Sequence, residues 1–531
     1  MFQNKKELLC IFCGCLIALI FILAIFSPEN VDPLNTNWVT NGGGDNLQHY
    51  LGWRFYRNSS WNRYLFFMRD LNYPVGTSVI VTDSNPLFCF IFKVFRNVLP
   101  EAFQFNGIWI VLSYLLIGLF SVKISWELTE NFLLSLLSAI IAVLNPVVLQ
   151  RAIIHDTLAA HWIILFGIYL CLKDESRWNS VGWFVITEAA LLIHFYFIPM
   201  LAFLWVLQMI RMFIKKRPFM KLMMTFIIFP VSILLGYYAA GYTHIVPQSG
   251  SFGELSMNLN AFINPDSIPA LLQPRPKISL QYEGFNYWGL GLILLFLFGL
   301  VLSRKTIFRK SFPYILPAAG LILLAASNIG YFDNRIVYQI NLPQKILSTL
   351  SVFRSSGRLV WPLYYLVLFT VIYSLSRAMG SSDRKKVITQ CIIVICAVIQ
   401  ICDLHVFHTQ TSFRFRNPDN TLPSLPSAFT ESIPEDVKHI YCSEGDSKMK
   451  DAISLFAVEN HMTYNRSTNA REIEHIYGGD MLDMETLTCE MTDANSIYIY
   501  LDPQRIPSGL ENCAGVTVIR NDGWSMVRKE N

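Results

Sequence analysis

The chain has 531 residues, of which 53% are hydrophobic, 14% aromatic and only 15% charged. That composition excludes an ordinary soluble domain and fits a membrane protein long enough for more than one domain. A formal charge of +4 is small for this length and gives no basis for nucleic-acid binding, and there is no Walker-type glycine loop, dinucleotide fingerprint or CxxC pair.

Lys5 and Lys6 precede an unbroken apolar run, residues 8–26, long enough to cross a bilayer. No small-x-small cleavage site follows Phe26, so the run reads as an uncleaved anchor with its N-terminus in the cytoplasm. Residues 27–84 then form a first outer loop, free of lysine and rich in Trp, Tyr, Asn and Gly. Its centre is Gly42-Gly43-Gly44-Asp45-Asn46-Leu47-Gln48-His49-Tyr50. The glycines free the backbone, and a helix starting at Asp45 would put Asp45 and His49 on one face, with Asp45 near the positive end of the dipole. The alternative is a turn with Asp45 as an N-cap. Val81-Thr82-Asp83-Ser84 closes the loop, and Asp83 reads either as the N-cap of a helix entered through Pro86 or as a second carboxylate facing Asp45.

Residues 86–100 are apolar but short and carry Lys93 and Arg96, as in a re-entrant or surface-lying helix. Spans follow at 103–122, 132–149, 157–172, 181–195, 199–213 and 222–241; after an outer loop at 242–286 come 287–302 and 312–327, then an outer loop at 328–358, then 359–375 and 387–402. The total is about eleven, with the lysine-rich loops all on one side. The remainder, 403–531, alternates apolar residues at 437–441, 496–501 and 515–519 and reads as a small extracytoplasmic α/β domain, in which Cys489 with Cys513 is the favoured disulfide. Cys10, Cys13, Cys15, Cys89, Cys171, Cys391, Cys396 and Cys402 read as small hydrophobes in or beside apolar segments.

Under this topology the unusual polar groups collect on the outer side: Asp45, His49, Asp83, Arg151, His155, Asp156, His161, His194, Glu283, Arg354 and Arg358. Such groups are costly at membrane depth and mark a site at the outer interface. The sharpest stretch is Phe353-Arg354-Ser355-Ser356-Gly357-Arg358, just before an inward-running span. Two arginines, two hydroxyls and a helix N-terminus there suit a phosphate, against the plainer alternative of lipid headgroup contact. Asp156 reads first as an N-cap, His155 and His161 as ligands of substrate or metal, and Glu283 as a loop residue able to touch substrate.

With its Gly-Gly-Gly-Asp, Thr-Asp-Ser and Arg-Ser-Ser-Gly-Arg stretches, the chain resembles a bacterial polytopic membrane glycosyltransferase of the GT-C superfamily. The resemblance implies an α-helical polytopic membrane domain, 1–402, which takes a sugar from a polyprenyl-phosphate donor and transfers it to an envelope glycan, such as O-antigen, or a lipid acceptor outside the bacterial cytoplasmic membrane. It implies Asp45 as the base, Asp83 as orienting the acceptor or helping to hold a divalent metal, and Arg354, Ser355, Ser356 and Arg358 as the donor phosphate site. Gln48, His49, His155, Asp156, His161 and Glu283 would bind substrate; no other cofactor is implied. The competing readings are a lipid-linked polysaccharide polymerase or ligase, a polysaccharide or lipid transporter, and a non-catalytic scaffold.

Overall fold

The computed structural model describes residues 5–41, 44–246, 252–253, 255–379 and 383–530, so Gly42 and Gly43 of the opening motif lie outside the described residues. The chain divides into two compact units, one made of Met1–Asp32, Phe105–Gly236 and Pro247–Asn417, the other of Pro33–Gln104, Tyr237–Val246 and Pro418–Asn531.

The first unit is helical. Among the described residues seven helices are long and apolar enough to cross a membrane: Lys5–Phe26, Asn106–Thr129, Phe197–Ile214, Phe219–Ala240, Leu290–Ala326, Ser356–Met379 and Asp383–Arg416. An eighth is formed if Phe132–Val143 and Pro146–Ile154, bent by 40°, are one span. The break has a local cause: Asn145 accepts the Val147 amide at 3.0 Å, and Pro146, which has no amide to donate, opens the next helix. The Lys5–Phe26 and Asn106–Thr129 helices cross where Gly14 and Gly118 face each other, and a Cβ on Gly118 would lie 2.6 Å from the Gly14 carbonyl. Close approach through small residues is what holds helices together where no hydrophobic gain is available.

The expected count of about eleven differs from this one for three reasons. Asp156–Leu172 and Asn179–Ile193 are apolar but short. Phe132–Val143 and Pro146–Ile154 count only as a bent pair. The expected pair 287–302 and 312–327 is one helical segment, Leu290–Ala326, interrupted at Ser303 (φ −139°). That segment is folded back on itself. Ile307 Cδ1 lies 3.4 Å from where a Cβ on Gly299 would stand, whereas residues eight apart in a straight helix are about 12 Å apart along the axis. The far end and the turn that precedes the segment also meet the same stretch of loop: the Met257 amide donates to the Ala325 carbonyl at 2.8 Å, and Gly284, in the turn Ser279–Gly284, abuts the backbone of Ser256 and Met257.

The second unit holds a five-stranded mixed sheet in the order Thr463–Tyr464, His439–Cys442, Ser496–Tyr500, Trp524–Lys529, Val516–Asn521. The first three strands run parallel and the last two pair antiparallel. Cys489 and Cys513 are disulfide-bonded, with Cα atoms 5.7 Å apart. The N-terminal loop is stitched to this sheet: the Tyr73 amide donates to the Tyr464 carbonyl at 3.0 Å, and the Tyr464 amide returns to the Asp70 carbonyl at 2.8 Å. The helix Gly44–Asn58 begins within the opening motif, and the short helix Pro86–Val94 leaves Ile91 and Val94 exposed.

Candidate functional site

In the first unit the Arg-Ser-Ser-Gly-Arg stretch follows the 3₁₀ turn Ser351–Phe353 and runs into a second, Ser356–Val360, ahead of the helix Pro362–Met379. The expected cradle of free amides is corrected by the structure. The Ser355 amide donates to Tyr196 Oη at 2.7 Å, the Gly357 amide to the Leu255 carbonyl at 3.3 Å, and the Arg358 amide to the Ser355 carbonyl at 3.1 Å. The Ser356 hydroxyl is likewise taken, donating to the Ala325 carbonyl at 3.2 Å. Backbone donors already satisfied within the fold offer an anion little, so the capacity for one rests with the arginine side chains.

Those side chains converge on Glu283. Its Oε2 lies 2.8 Å from a terminal nitrogen of Arg358 and 2.8 Å from one of Arg151, and Arg358 Nε donates to the same oxygen at 3.0 Å. Arg151 and Arg358 are buried, Arg151 to 1% side-chain exposure, and Glu283 retains 12%. Burial alone would raise the Glu283 carboxyl, but the Arg358 and Arg151 guanidiniums outweigh it and bring it to about 2. Close packing fixes the turn that carries Glu283: Gly284 sits against Gly357, and Asn286 Nδ2 donates to the Gly357 carbonyl at 2.9 Å. Arg358 lies over the Tyr196 ring at 5.0 Å and Arg151 over Trp361 at 5.8 Å, so each guanidinium is oriented by an aromatic face. Arg354 is exposed.

Around it, the His155 and His194 rings meet at 5.2 Å, a pair of the residue type that most often binds divalent metals. His155 Nδ1 is 3.0 Å from the Thr157 hydroxyl, and His194 Nδ1 accepts the Tyr196 amide at 3.2 Å. Asp156 is buried, and its carboxylate accepts Asn106 Nδ2 at 2.7 Å while its carbonyl accepts Trp109 Nε1 at 2.9 Å. It ties the turn Asp156–Ala159 to the helix Asn106–Thr129. His161 is fully buried, 3.0 Å from Tyr365 Oη and packed on Trp361 at 4.6 Å, behind the residue over which Arg151 lies. Tyr196 and Trp361 were not flagged by sequence; an aromatic next to a span boundary gives no signal that separates it from an interface anchor. Glu188 was also missed, and it lies within the apolar helix Asn179–Ile193 with its carboxyl packed on Gly236.

In the second unit Asp45 is exposed in the first turn of the helix Gly44–Asn58, and His49 is buried one turn on. Gln48 Nε2 donates to the Thr82 carbonyl at 3.4 Å. A Cβ on Gly52 would collide with the Thr82 and Ser84 hydroxyls, so glycine is what lets the Thr-Asp-Ser turn press on this helix. Gln48 and Gly52 therefore bring the turn holding Asp83 alongside the helix that starts at Asp45. Asp83 itself is in the left-handed region (φ 56°), and it is Asn85, not Asp83, that caps the helix Pro86–Val94 by accepting the Phe88 amide at 3.3 Å. The N-cap alternative for Asp83 is thus replaced by a strained turn position, a kind of strain that clusters at functional sites.

No curated protein matches the chain. Among solved structures it is similar to the oligosaccharyltransferase AglB from Archaeoglobus fulgidus in complex with an inhibitory peptide and a dolichol-phosphate, at TM-score 0.42 and 12% identity over 87% of this chain and 64% of that one. It is also similar to the Archaeoglobus fulgidus oligosaccharyltransferase in complex with Zn and sulfate, at TM-score 0.40 and 12% identity over 86% and 62%. The chain thus spans less than two thirds of the length of these proteins, and the likeness is distant. A family model, described as "Domain of unknown function (DUF6311)", matches residues 15–405, which is well over half of the sequence, and the chain belongs to that family.

Proposed function

We propose that the chain is a membrane glycosyltransferase of the GT-C type, with about eleven membrane passes once the bent pair, the two short apolar helices and both arms of the folded-back segment are counted as spans. It moves a sugar from a polyprenyl-phosphate donor to an envelope glycan or lipid acceptor on the outer face of a bacterial cytoplasmic membrane. One observation carries the reading: two buried guanidiniums meet on one carboxylate, Arg151 and Arg358 each 2.8 Å from Glu283 Oε2. Such a cluster is an anion seat, and the charge that grows on a departing phosphate is what it would stabilise. Asp45 is the base: it takes the proton of an acceptor hydroxyl, the hydroxyl oxygen bonds to the anomeric carbon, and the bond from that carbon to the phosphate oxygen breaks. The electron pair leaves on the phosphate, beside Arg358 and Arg151. Asp83 orients the acceptor, and His155 and His194 are the residues of the first unit suited to a divalent metal if one is used.

A second reading has an observation of its own. Glu188 is a carboxyl inside an apolar helix, and intramembrane acids are typical of transporters. The deciding experiment is transfer from radiolabelled polyprenyl-phosphate sugars to envelope glycans by the purified full chain. Arg358→Ala should lower the rate on the order of 100-fold and Asp45→Asn comparably, in protein that stays folded. Wild-type protein that transfers from no donor, or an Arg358→Ala variant of unchanged rate, rules the reading out, and export of lipid-linked saccharide would then be measured with Glu188→Gln as the informative variant.

A further inference from the structure

A groove of about 330 Å³ opens in the loops of the first unit beside the arginine cluster. The 3₁₀ turn Ser279–Gly284 serves both places: Leu280 and Gln281 line the groove, and Glu283 lies between the guanidiniums. Its other walls include Phe252, Asn328, Tyr331 and Leu347, and among the described residues no carboxylate, ammonium, guanidinium or imidazole lines it. The Gln281 amide is used to hold the wall, accepting Asn258 Nδ2 at 2.9 Å and donating to Ser256 Oγ at 3.2 Å. Asn328 differs. Its Oδ1 is buried and accepts no hydrogen bond among the described residues. Gly253, at φ 99°, lets the loop pass close by, since a Cβ there would lie 3.1 Å from that oxygen.

We infer that this groove binds a neutral saccharide unit of the substrate, which rests on the glycosyl-transfer reading above. Three features select that ligand. The volume admits one or two sugar rings and falls at the small end of ligand pockets. The uncharged lining offers nothing to a phosphate, a uronic acid or a cationic headgroup, whose desolvation would go uncompensated. The Asn328 and Gln344 side chains on the wall are neutral amides suited to hydroxyl partners and wasted on an alkyl chain, while Phe252 and Tyr331 supply the apolar surface that a ring face covers. The short turn shared with Glu283 then puts the sugar next to the group that receives its phosphate.

The test uses the full chain in lipid nanodiscs and saturation-transfer difference NMR with the methyl glycosides of glucose, galactose, mannose and N-acetylglucosamine as probes. At least one glycoside should give ring-proton signals that fall several-fold both in Asn328→Leu, which removes the acceptor, and in Leu347→Trp, which fills the groove from a half-buried position. Saccharide binding that survives both groove variants, or no signal from any of the four glycosides, overturns the assignment. Signals that behave as expected in a chain that nonetheless transfers no sugar would uphold the groove and count against the enzymatic reading alone.

Discussion

Glu283 shows how a single residue can look decorative in sequence and be central in space. Its carboxylate is balanced by the buried Arg151 and Arg358, so removing the negative charge strands two guanidiniums in a poorly hydrated site. Glu283→Gln should therefore lower stability by about 3–5 kcal/mol at neutral pH, read as the unfolding temperature of the full chain in detergent. Adding Arg151→Gln should recover part of the loss; no recovery would mean that the two charges are not coupled. The pH dependence follows from the same contact. Held at about 2, below its ordinary value of 4.5, the carboxyl adds stability that is complete above that ordinary value and is lost as pH falls from there toward 2. Wild type should accordingly lose more stability across that window than Glu283→Gln. Arg354, Arg358, Glu283 and the outer histidines could be picked out of the sequence because polar residues at span ends are rare. Which of them meet could not, since Arg151 and Glu283 are separated by several helices and nothing local records their contact. The same limit explains Ser356: its hydroxyl type suits a phosphate, and only packing reveals that the Ala325 carbonyl already uses it.

Helices announce themselves by apolar length, and their ends do not. The segment Leu290–Ala326 begins with amides that need acceptors, and these come from another helix: Asp403 Oδ2 accepts the Leu290 amide at 2.8 Å, and Gln400 Oε1 accepts the Leu292 amide at 3.1 Å. Asp403 also accepts the Leu271 amide at 2.8 Å and the Tyr287 hydroxyl at 2.7 Å, so one buried carboxylate closes three gaps. Asp403→Ala should cost about 3 kcal/mol and should raise hydrogen exchange first at Leu290 and Leu271; exchange that stays protected there would show the cap to be dispensable. In sequence this aspartate sat just past the end of an expected span, at 403, where it read as the first residue of a soluble tail. The helix instead runs on to Arg416, where Ser412 Oγ and a terminal nitrogen of Arg416 donate to the Ala24 carbonyl at 3.2 and 2.9 Å. Glu188 was hidden for a related reason: one acid in a window of apolar residues scarcely moves the average. A hydrophobic carbodiimide, which attacks carboxyls in apolar surroundings, should label Glu188, and Gly236→Val should change the extent of labelling by filling the niche in which the carboxyl packs. Mass spectrometry finding Glu188 unmodified in both proteins would mean that the carboxyl is out of reach of the bilayer interior.

At the level of the whole molecule, a linear reading gave a membrane part followed by a tail, whereas the second unit is built from three separated pieces of chain. The alternating patterns at 437–441, 496–501 and 515–519 marked three strands, now His439–Cys442, Ser496–Tyr500 and Val516–Asn521. The pairing that draws Pro33–Gln104 into the same unit left no trace, since backbone hydrogen bonds between distant segments do not depend on side-chain type. They are numerous nonetheless. The Ala470 amide donates to the Val81 carbonyl at 2.7 Å and the Val246 amide to the Glu472 carbonyl at 2.9 Å, and the Asn58 side chain adds a bond from Nδ2 to the Val458 carbonyl at 3.1 Å. Val81 is followed by Thr82 and Asp83, so the turn that carries the second acid is held from the tail side. It follows that the tail is part of what shapes this turn, and a chain ending at Asn417 should lose that shape while its membrane helices persist. Limited proteolysis separates the outcomes: with the last piece removed, cleavage within 59–82 should become much faster than in the full chain, and cleavage between the helices of the first unit should not. A first loop that resists protease equally well without Pro418–Asn531 would show that it folds on its own and that these hydrogen bonds merely attach the tail to it.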